Sequence, residues 1–260
     1  MLSQVEKNSS YCFNRSIGQI SELITDPNKI RFSDYDFLDF GCSRGKSIER
    51  SLKAFSAKRG LGIDKNPRKI AEAIANGYEA IVCDVSKLKV QKNAVRFVTM
   101  KHFLEHLSDF KTVQKCIENA AVFAQDFLYI SQPYFDADGY LFLNKLKFYW
   151  SDWTGHPNRM TTLELFSILN HLAKTETISR FAIYGRSPVK YSSDSTIHPF
   201  NSLKDQHHYD PNIHPPKKIM KFKNHLYKET VALVTISDSG MLPQLERKVN
   251  LDKKLFDSLD

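Results

Sequence analysis

Short apolar runs alternate with segments of helical apolar spacing through roughly the first 150 residues, the pattern of a mostly parallel sheet with helices on both faces. Residues 17–25 (IGQISELIT) predict a helix that stops ahead of Asp26-Pro27. The apolar run Tyr35–Phe40 predicts a strand leading directly into the turn GCSRG, and Lys46–Phe55 predicts the helix that follows. Leu61–Asp64, Glu79–Cys83, Val95–Met100 and Phe127–Ser131 predict four more strands. A helix from about Pro67 to Asn76 and another over 109–124 fall between them.

Beyond the fifth strand the pattern changes. Residues 134–160 are rich in aromatic side chains and are expected to form an insertion over the carboxyl edge of the sheet. Thr162–Ala173 predicts a helix, with Thr161 or Thr162 as its N-cap and Glu164 in its first turn. Ile178–Tyr184 and Thr230–Ile236 predict two further strands. The segment 186–228 between them is rich in His, Pro, Lys and Ser, and a loop that long is uncommon unless it is functional or carries structure of its own. The expected layout is therefore one α/β domain over residues 1–243, with insertions at 134–160 and 186–228. A tail, 244–260, is expected to be a short helix or unstructured.

Composition narrows this only a little. No run approaches the roughly 18 apolar residues of a membrane span, and the N-terminus lacks a basic-then-apolar secretion signal, so a cytoplasmic location is expected. The four cysteines, Cys12, Cys42, Cys83 and Cys116, are scattered with no C-x-x-C pair, which points to reduced structural thiols and away from a thiolate zinc site. A net charge of +8 favours anionic partners: nucleic acid, phosphorylated metabolites, nucleotide-sugars or anionic membrane surfaces.

The chemistry starts at Asp39-Phe-Gly-Cys-Ser-Arg-Gly45, a glycine turn at a strand-to-helix junction. Gly41 and Gly45 allow a sharp turn and close approach of a ligand, and the next helix offers unpaired N–H groups at its start. Asp64 and Asp84 stand at the ends of the next two strands. A carboxylate about 20 residues beyond such a turn can hold ribose hydroxyls, and the later one can accept from an adenine amino group. A phosphate-binding P-loop is one residue too long for GCSRGKS, and the G-x-G-x-x-G of nicotinamide sites lacks two of its glycines here.

With these residues the chain resembles the class I S-adenosylmethionine-dependent methyltransferases, whose first motif is (D/E)-x-G-x-G-x-G; Ser43 replaces the middle glycine. The resemblance implies a Rossmann-like seven-stranded sheet with an antiparallel last strand. It also implies S-adenosylmethionine as cofactor and S-adenosylhomocysteine as product. Cofactor-binding residues would be Asp39, Gly41, Cys42, Ser43, Gly45, Asp64 on the ribose, Lys65, Asp84 on the adenine, Val85 beside the ring, and Lys101.

His102, Glu105 and His106 follow the fourth strand at i, i+3 and i+4, one face of a helical turn, and are the candidate catalytic residues. Two readings stay open. In one, His102 or His106 is a metal-free general base. In the other, the H-x-x-E-H cluster, which is similar to the E-x-x-E-H of metal-dependent ubiquinone-biosynthesis and small-RNA 2′-O-methyltransferases, binds one divalent ion. His102, Glu105, His106 and His156 are then the metal ligands, and a histidine in place of the first glutamate favours Zn²⁺, Mn²⁺, Fe²⁺ or Co²⁺ over Mg²⁺.

Tyr134, Phe148, Tyr149, Trp150 and Trp153 either wall an acceptor pocket or form core beneath a lid. The basic segment 186–228 is either a cover that prefers an anionic acceptor or a solvated loop. With SDWTGHP (151–157) and YGRSPVKYSSDSTIHPF (184–200) the chain resembles methyltransferases of bacterial surface-polysaccharide synthesis, which implies O-methylation of a sugar or of a phosphorylated or nucleotide-linked glycan precursor. RNA ribose methylation is the second reading, and a non-catalytic methyltransferase-like binding subunit the third.

Overall fold

In a computed structural model of the protein, residues 30–259 are described. The helix expected at 17–25, and Cys12, lie outside them. The strands are β1 (Phe37–Phe40), β2 (Gly60–Asp64), β3 (Glu79–Val82), β4 (Val95–Lys101), β5 (Ala124–Pro133), β6 (Leu146–Phe148), β7 (Arg180–Tyr191), β8 (Ile197–Pro199), β9 (Lys221–Thr235) and β10 (Lys253–Asp257). The helices are α1 (Lys46–Ala54), α2 (Pro67–Ala75), α3 (Phe110–Phe123), α4 (Asp138–Leu143), α5 (Thr162–Lys174) and α6 (Leu242–Glu246).

The main sheet runs β10-β7-β9-β5-β4-β1-β2-β3. β1 to β5 are mutually parallel, β9 lies antiparallel between β5 and β7, and β10 pairs antiparallel with β7. Helices cover both faces, so the central strands read as continuous apolar runs. Leu38, Phe40, Ile63, Val98 and Ile130 pack on one face with Val113 and Ile117 of α3 and Leu165 and Leu169 of α5. Phe37, Phe97, Phe127 and Leu233 pack on the other with Ile48 of α1, Ile70 of α2 and Leu245 of α6. Strand register sets Phe37 beside Phe97 and Phe97 beside Phe127, and the rings stack at 4.8 and 4.6 Å. The start of α5 is a capping box: the Thr161 hydroxyl accepts from the Glu164 amide, and the Glu164 carboxylate accepts from the Thr161 amide.

The sheet has eight strands where seven are expected, and the difference is β10. Lys253–Asp257 is too charged to read as a strand from its pattern, yet it closes the sheet edge. Asp257 takes the Arg180 guanidinium in a fork at 3.0 and 2.7 Å, and Phe256 packs against Phe166 and Phe181 at 4.7 and 5.4 Å. The expected tail is thus α6 followed by an edge strand.

The two insertions fold together. β6, from the first, pairs with β8, from the second. β7 and β9 continue past the main sheet as a hairpin, in which Val189 pairs with Leu226 and Tyr191 with Lys221. Leu141, Leu146, Phe148, Trp150, Val189, Ile197, Phe222 and Leu226 close a third core between these pieces. No helix among the described residues is long and apolar enough to cross a membrane.

Candidate active site

The strand order reverses between β1 and β4, and a cavity of about 770 Å³ opens over the carboxyl ends of β1 to β4. Gly41 turns the chain there with φ +74°, and a Cβ on it would come within 2.3 Å of the Phe103 ring. Ser43, standing where the motif has its middle glycine, takes φ +50°, so the turn survives the substitution. Its amide donates to Asp64 Oδ2 at 3.0 Å, and the Asn66 amide donates to Oδ1 at 2.9 Å. Asp64 therefore fastens the glycine turn to the start of α2. Asp84 caps a short turn, with Oδ1 accepting from the amide and hydroxyl of Ser86 at 3.0 and 2.7 Å. Lys101 stands at the end of β4, where desolvation pushes its ammonium down to about 8 against the attraction of Asp39.

Beyond β4 the chain makes a tight turn, Leu104–His106, that buries Glu105 to 2% exposure. One Glu105 oxygen meets His102 Nδ1 at 3.3 Å, whereas Oε2 has no hydrogen-bond partner. His106 Nδ1 lies 2.7 Å from the Gly155 carbonyl and His156 Nδ1 lies 3.1 Å from the Trp150 carbonyl. Each carbonyl takes an N–H, which leaves Nε2 of both rings with a free lone pair. The two rings are 4.9 Å apart, and ligand atoms of Glu105, His106 and His156 all lie within 4.8 Å of one another. Desolvation holds His156 below the usual imidazole range, in its neutral, lone-pair-bearing form.

His102 stands apart from this group. Its backbone is left-handed (φ +49°), so 102, 105 and 106 do not share one helical face. The ring lies between Glu105 and Glu229, with Nε2 3.1 Å from Glu229 Oε1. Desolvation opposes its charge, but the two carboxylates outweigh that and raise it to about 10. An imidazolium has no lone pair for a metal and no vacancy for a proton. Glu229 is held down to about 2: burial alone would raise it, and His102 and Arg186 overcome burial. Arg186 also donates to the Tyr129 hydroxyl at 2.8 Å.

A second cavity, of about 390 Å³, opens on the far side of His102 and His106, which line both. Its walls are Tyr149, Trp150, Trp153 and His207, with Thr196, Lys228 and Glu229 as polar groups. Trp153 and His207 lie 4.6 Å apart, and Lys228 is paired with Asp194 at 2.9 Å. Thr154 donates its amide and hydroxyl to Asp205 at 2.8 and 2.7 Å, which fastens the His207 segment to the Trp153 loop.

Residues 38–121, from β1 through α3, match the methyltransferase domain family. A similar fold is found in an S-adenosylmethionine-dependent methyltransferase from Archaeoglobus fulgidus (TM-score 0.54, 15% identity), covering 79% of this chain and 88% of that one. The YcgJ protein of Bacillus subtilis is similar as well (TM-score 0.50, 12% identity), covering 85% of this chain and 97% of that one. Among curated proteins no relative matches the chain. Residues 38–121 are thus a methyltransferase domain, and the fold around them is shared with S-adenosylmethionine-dependent methyltransferases.

Of the expected cofactor residues, Gly41, Cys42, Ser43, Asp64, Lys65, Asp84, Val85 and Lys101 line the large cavity. Asp39 and Gly45 do not. Asp39 is fully buried below the turn, and a Cβ on Gly45 would meet the Tyr78 ring at 2.2 Å, so Gly45 serves packing and the start of α1. The Cys42 thiol is pushed far up by burial, which suits an inert side chain. Of the aromatic group, Phe148 and Trp150 stack in the insertion core at 4.1 Å, and Trp150 also lines the smaller cavity with Tyr149 and Trp153. Glu229 was not legible beforehand: it lies 127 residues from His102, on a strand that only the sheet order brings near. Arg50, Lys69 and Phe103 of the large cavity carry no motif either.

Proposed function

We propose that this methyltransferase methylates a hydroxyl of a ring-shaped acceptor, a sugar or a phosphorylated or nucleotide-linked glycan precursor, with a divalent ion held by Glu105, His106 and His156. The observation that carries the metal is the buried, unpartnered Glu105 Oε2 beside two imidazoles whose Nδ1 atoms are already taken. Two imidazoles and one carboxylate suit Zn²⁺, Mn²⁺, Fe²⁺ or Co²⁺ and would leave further positions open. The large cavity suits S-adenosylmethionine: Gly41 lets the turn close against Phe103 in its wall, Asp64 and Asp84 offer carboxylates at two strand ends, and Lys101 offers a cation. That cofactor supplies a methyl group on a good leaving group, and the ion supplies Lewis acidity toward a hydroxyl.

The chain's own residues do the positioning. His102 neutralises one oxygen of Glu105 and, through Glu229 and Arg186, ties the end of β4 to β9 and β7. His106 takes up the proton of the acceptor hydroxyl if no ion is bound, since its Nε2 is free. Tyr149, Trp153 and His207 offer faces for a ring, and Lys228 a cation for an anionic substituent.

Calorimetric titration with S-adenosylhomocysteine, on protein whose metal content is measured by mass spectrometry, tests both parts. Micromolar binding with a stoichiometric ion is expected. Glu105→Gln and His156→Ala should lose the ion and keep the nucleoside. Absence of an ion, with turnover unaffected by chelators, would remove the metal and leave His106 as base. Absence of nucleoside binding would sink the whole reading. RNA ribose methylation is the second reading, favoured by the net charge of +8. Binding to RNA through several phosphates would fall steeply with salt, whereas a nucleotide-sugar's affinity would fall modestly.

A further inference from the structure

The inserted layer ends in two turns that lie side by side. One, 142–145, is the end of α4 with the two residues after it, and the other, 199–204, runs on from the last residue of β8. The pairing of Leu146 with Pro199 and a 2.9 Å bond from the Phe200 amide to the Lys145 carbonyl hold them together. Four large apolar side chains project from these turns: Phe142 is 57% exposed, Leu143 81%, Phe200 50% and Leu203 63%. The Phe142 and Phe200 rings meet edge to face at 4.9 Å. The core beneath does not call on them, because Leu141, Leu146 and Ile197 of the same segments already fill it. Apolar exposure gathered in one place marks a surface that meets something.

Lysines outnumber exposed carboxylates around the tip. Lys145 and Lys204 are exposed in the same two turns. Lys221 and Lys223 alternate along the exposed face of β9 where it passes α4, with the Lys223 amide donating to the Tyr140 hydroxyl at 3.1 Å. Of the nearby carboxylates, Asp152 is paired with Lys147 and Asp138 accepts from Ser151 within the fold, whereas Asp205, fastened to Thr154, keeps its charge beside Lys204.

We propose that this tip docks on an anionic lipid bilayer, with Phe142, Leu143, Phe200 and Leu203 entering the headgroup boundary and the lysines meeting acidic headgroups. A stable protein interface takes roughly 20–30 residues a side, and four side chains on two narrow turns fall well short of that. A few projecting apolar groups ringed by lysines are what an interfacial anchor requires. Leu203 precedes His207 of the smaller cavity by four residues, with the Thr154–Asp205 latch between them, so the docked tip is continuous with the cavity wall.

Sedimentation of the full chain with phosphatidylcholine vesicles, and with vesicles carrying about a third phosphatidylglycerol, tests the proposal. Binding to the anionic vesicles is expected, weakened by salt and by Lys145→Gln with Lys204→Gln. Leu143→Asp combined with Leu203→Asp should weaken it about tenfold or more, with S-adenosylhomocysteine affinity unchanged as the control for folding. No sedimentation of the wild type, or equal sedimentation of the Asp pair, overturns the proposal. So does a dimer in light scattering that the Asp pair converts to monomer, since the tip would then join copies of the chain.

Discussion

The two carboxylate oxygens of Asp39 receive hydroxyl protons from Ser47 and, at 2.6 Å, from Thr99, and no water reaches them. Burial nevertheless dominates and raises this carboxyl to about 6. A raised acid binds its proton more tightly in the folded chain than in the unfolded one. Its ionisation therefore destabilises the fold as pH climbs from near 4 through about 6. Asp39→Asn removes that slope while keeping an acceptor for the hydroxyls. Between about pH 4 and pH 8, urea unfolding of the variant should gain on the wild type by on the order of 2 kcal/mol. A constant difference across that range would mean that the carboxyl ionises freely. Asp64 is a different case, since its oxygens already hold the amides of Ser43 and Asn66. Asp64→Ala should cost about 2 kcal/mol in S-adenosylhomocysteine binding and lower the melting temperature too, because the turn loses its brace. Both residues were legible because a glycine turn with trailing acids is a local pattern. The different duties of Asp39 and Asp64 were not, because burial is a property of the packed sheet.

At the scale of elements, the βα units through α3 could be read from periodicity alone, since each strand is buried on both faces and each helix on one. Within 102–106 only Leu104–His106 forms the expected helical turn; His102 stands before it in left-handed backbone, a departure that leaves no periodic trace. The same limit hid the latch between the two insertions. Asp205 lies 51 residues from Thr154, and its carboxyl is held below the usual range by the Thr154 amide and hydroxyl. Asp205→Ala should release the His207 segment from the Trp153 loop. Amides of 203–209 would then exchange faster, by about tenfold for one or two lost bonds, while S-adenosylhomocysteine affinity stays unchanged. Exchange at the wild-type rate would show that the segment is held by its ring contacts instead.

Across the whole molecule, the insertions were visible as interruptions, but their mutual packing was not. β6 and β8 are three residues each, too short to announce themselves, and they meet only because β7 and β9 run on beyond the sheet as one hairpin. The far edge was equally hidden, since an edge strand has one face in water and needs no apolar alternation. β10 nonetheless contributes the Arg180–Asp257 fork and the Phe256 contacts, and it covers a side of β7 that would otherwise be an open edge. Asp257 is held below its usual range by Arg180, so its share of stability is present above about pH 4 and lost as acid protonates it. The cofactor cavity lies across the sheet from this strand, over β1 to β4. Ending the chain after Arg247 should therefore lower unfolding free energy by on the order of 3 kcal/mol without changing S-adenosylhomocysteine affinity once folded. Phe256→Ala should show a smaller loss in the same direction. Unchanged melting in both variants would mean that β10 does not pair with β7 in solution, and a joint loss of melting and nucleoside affinity would mean that the sheet responds as one unit.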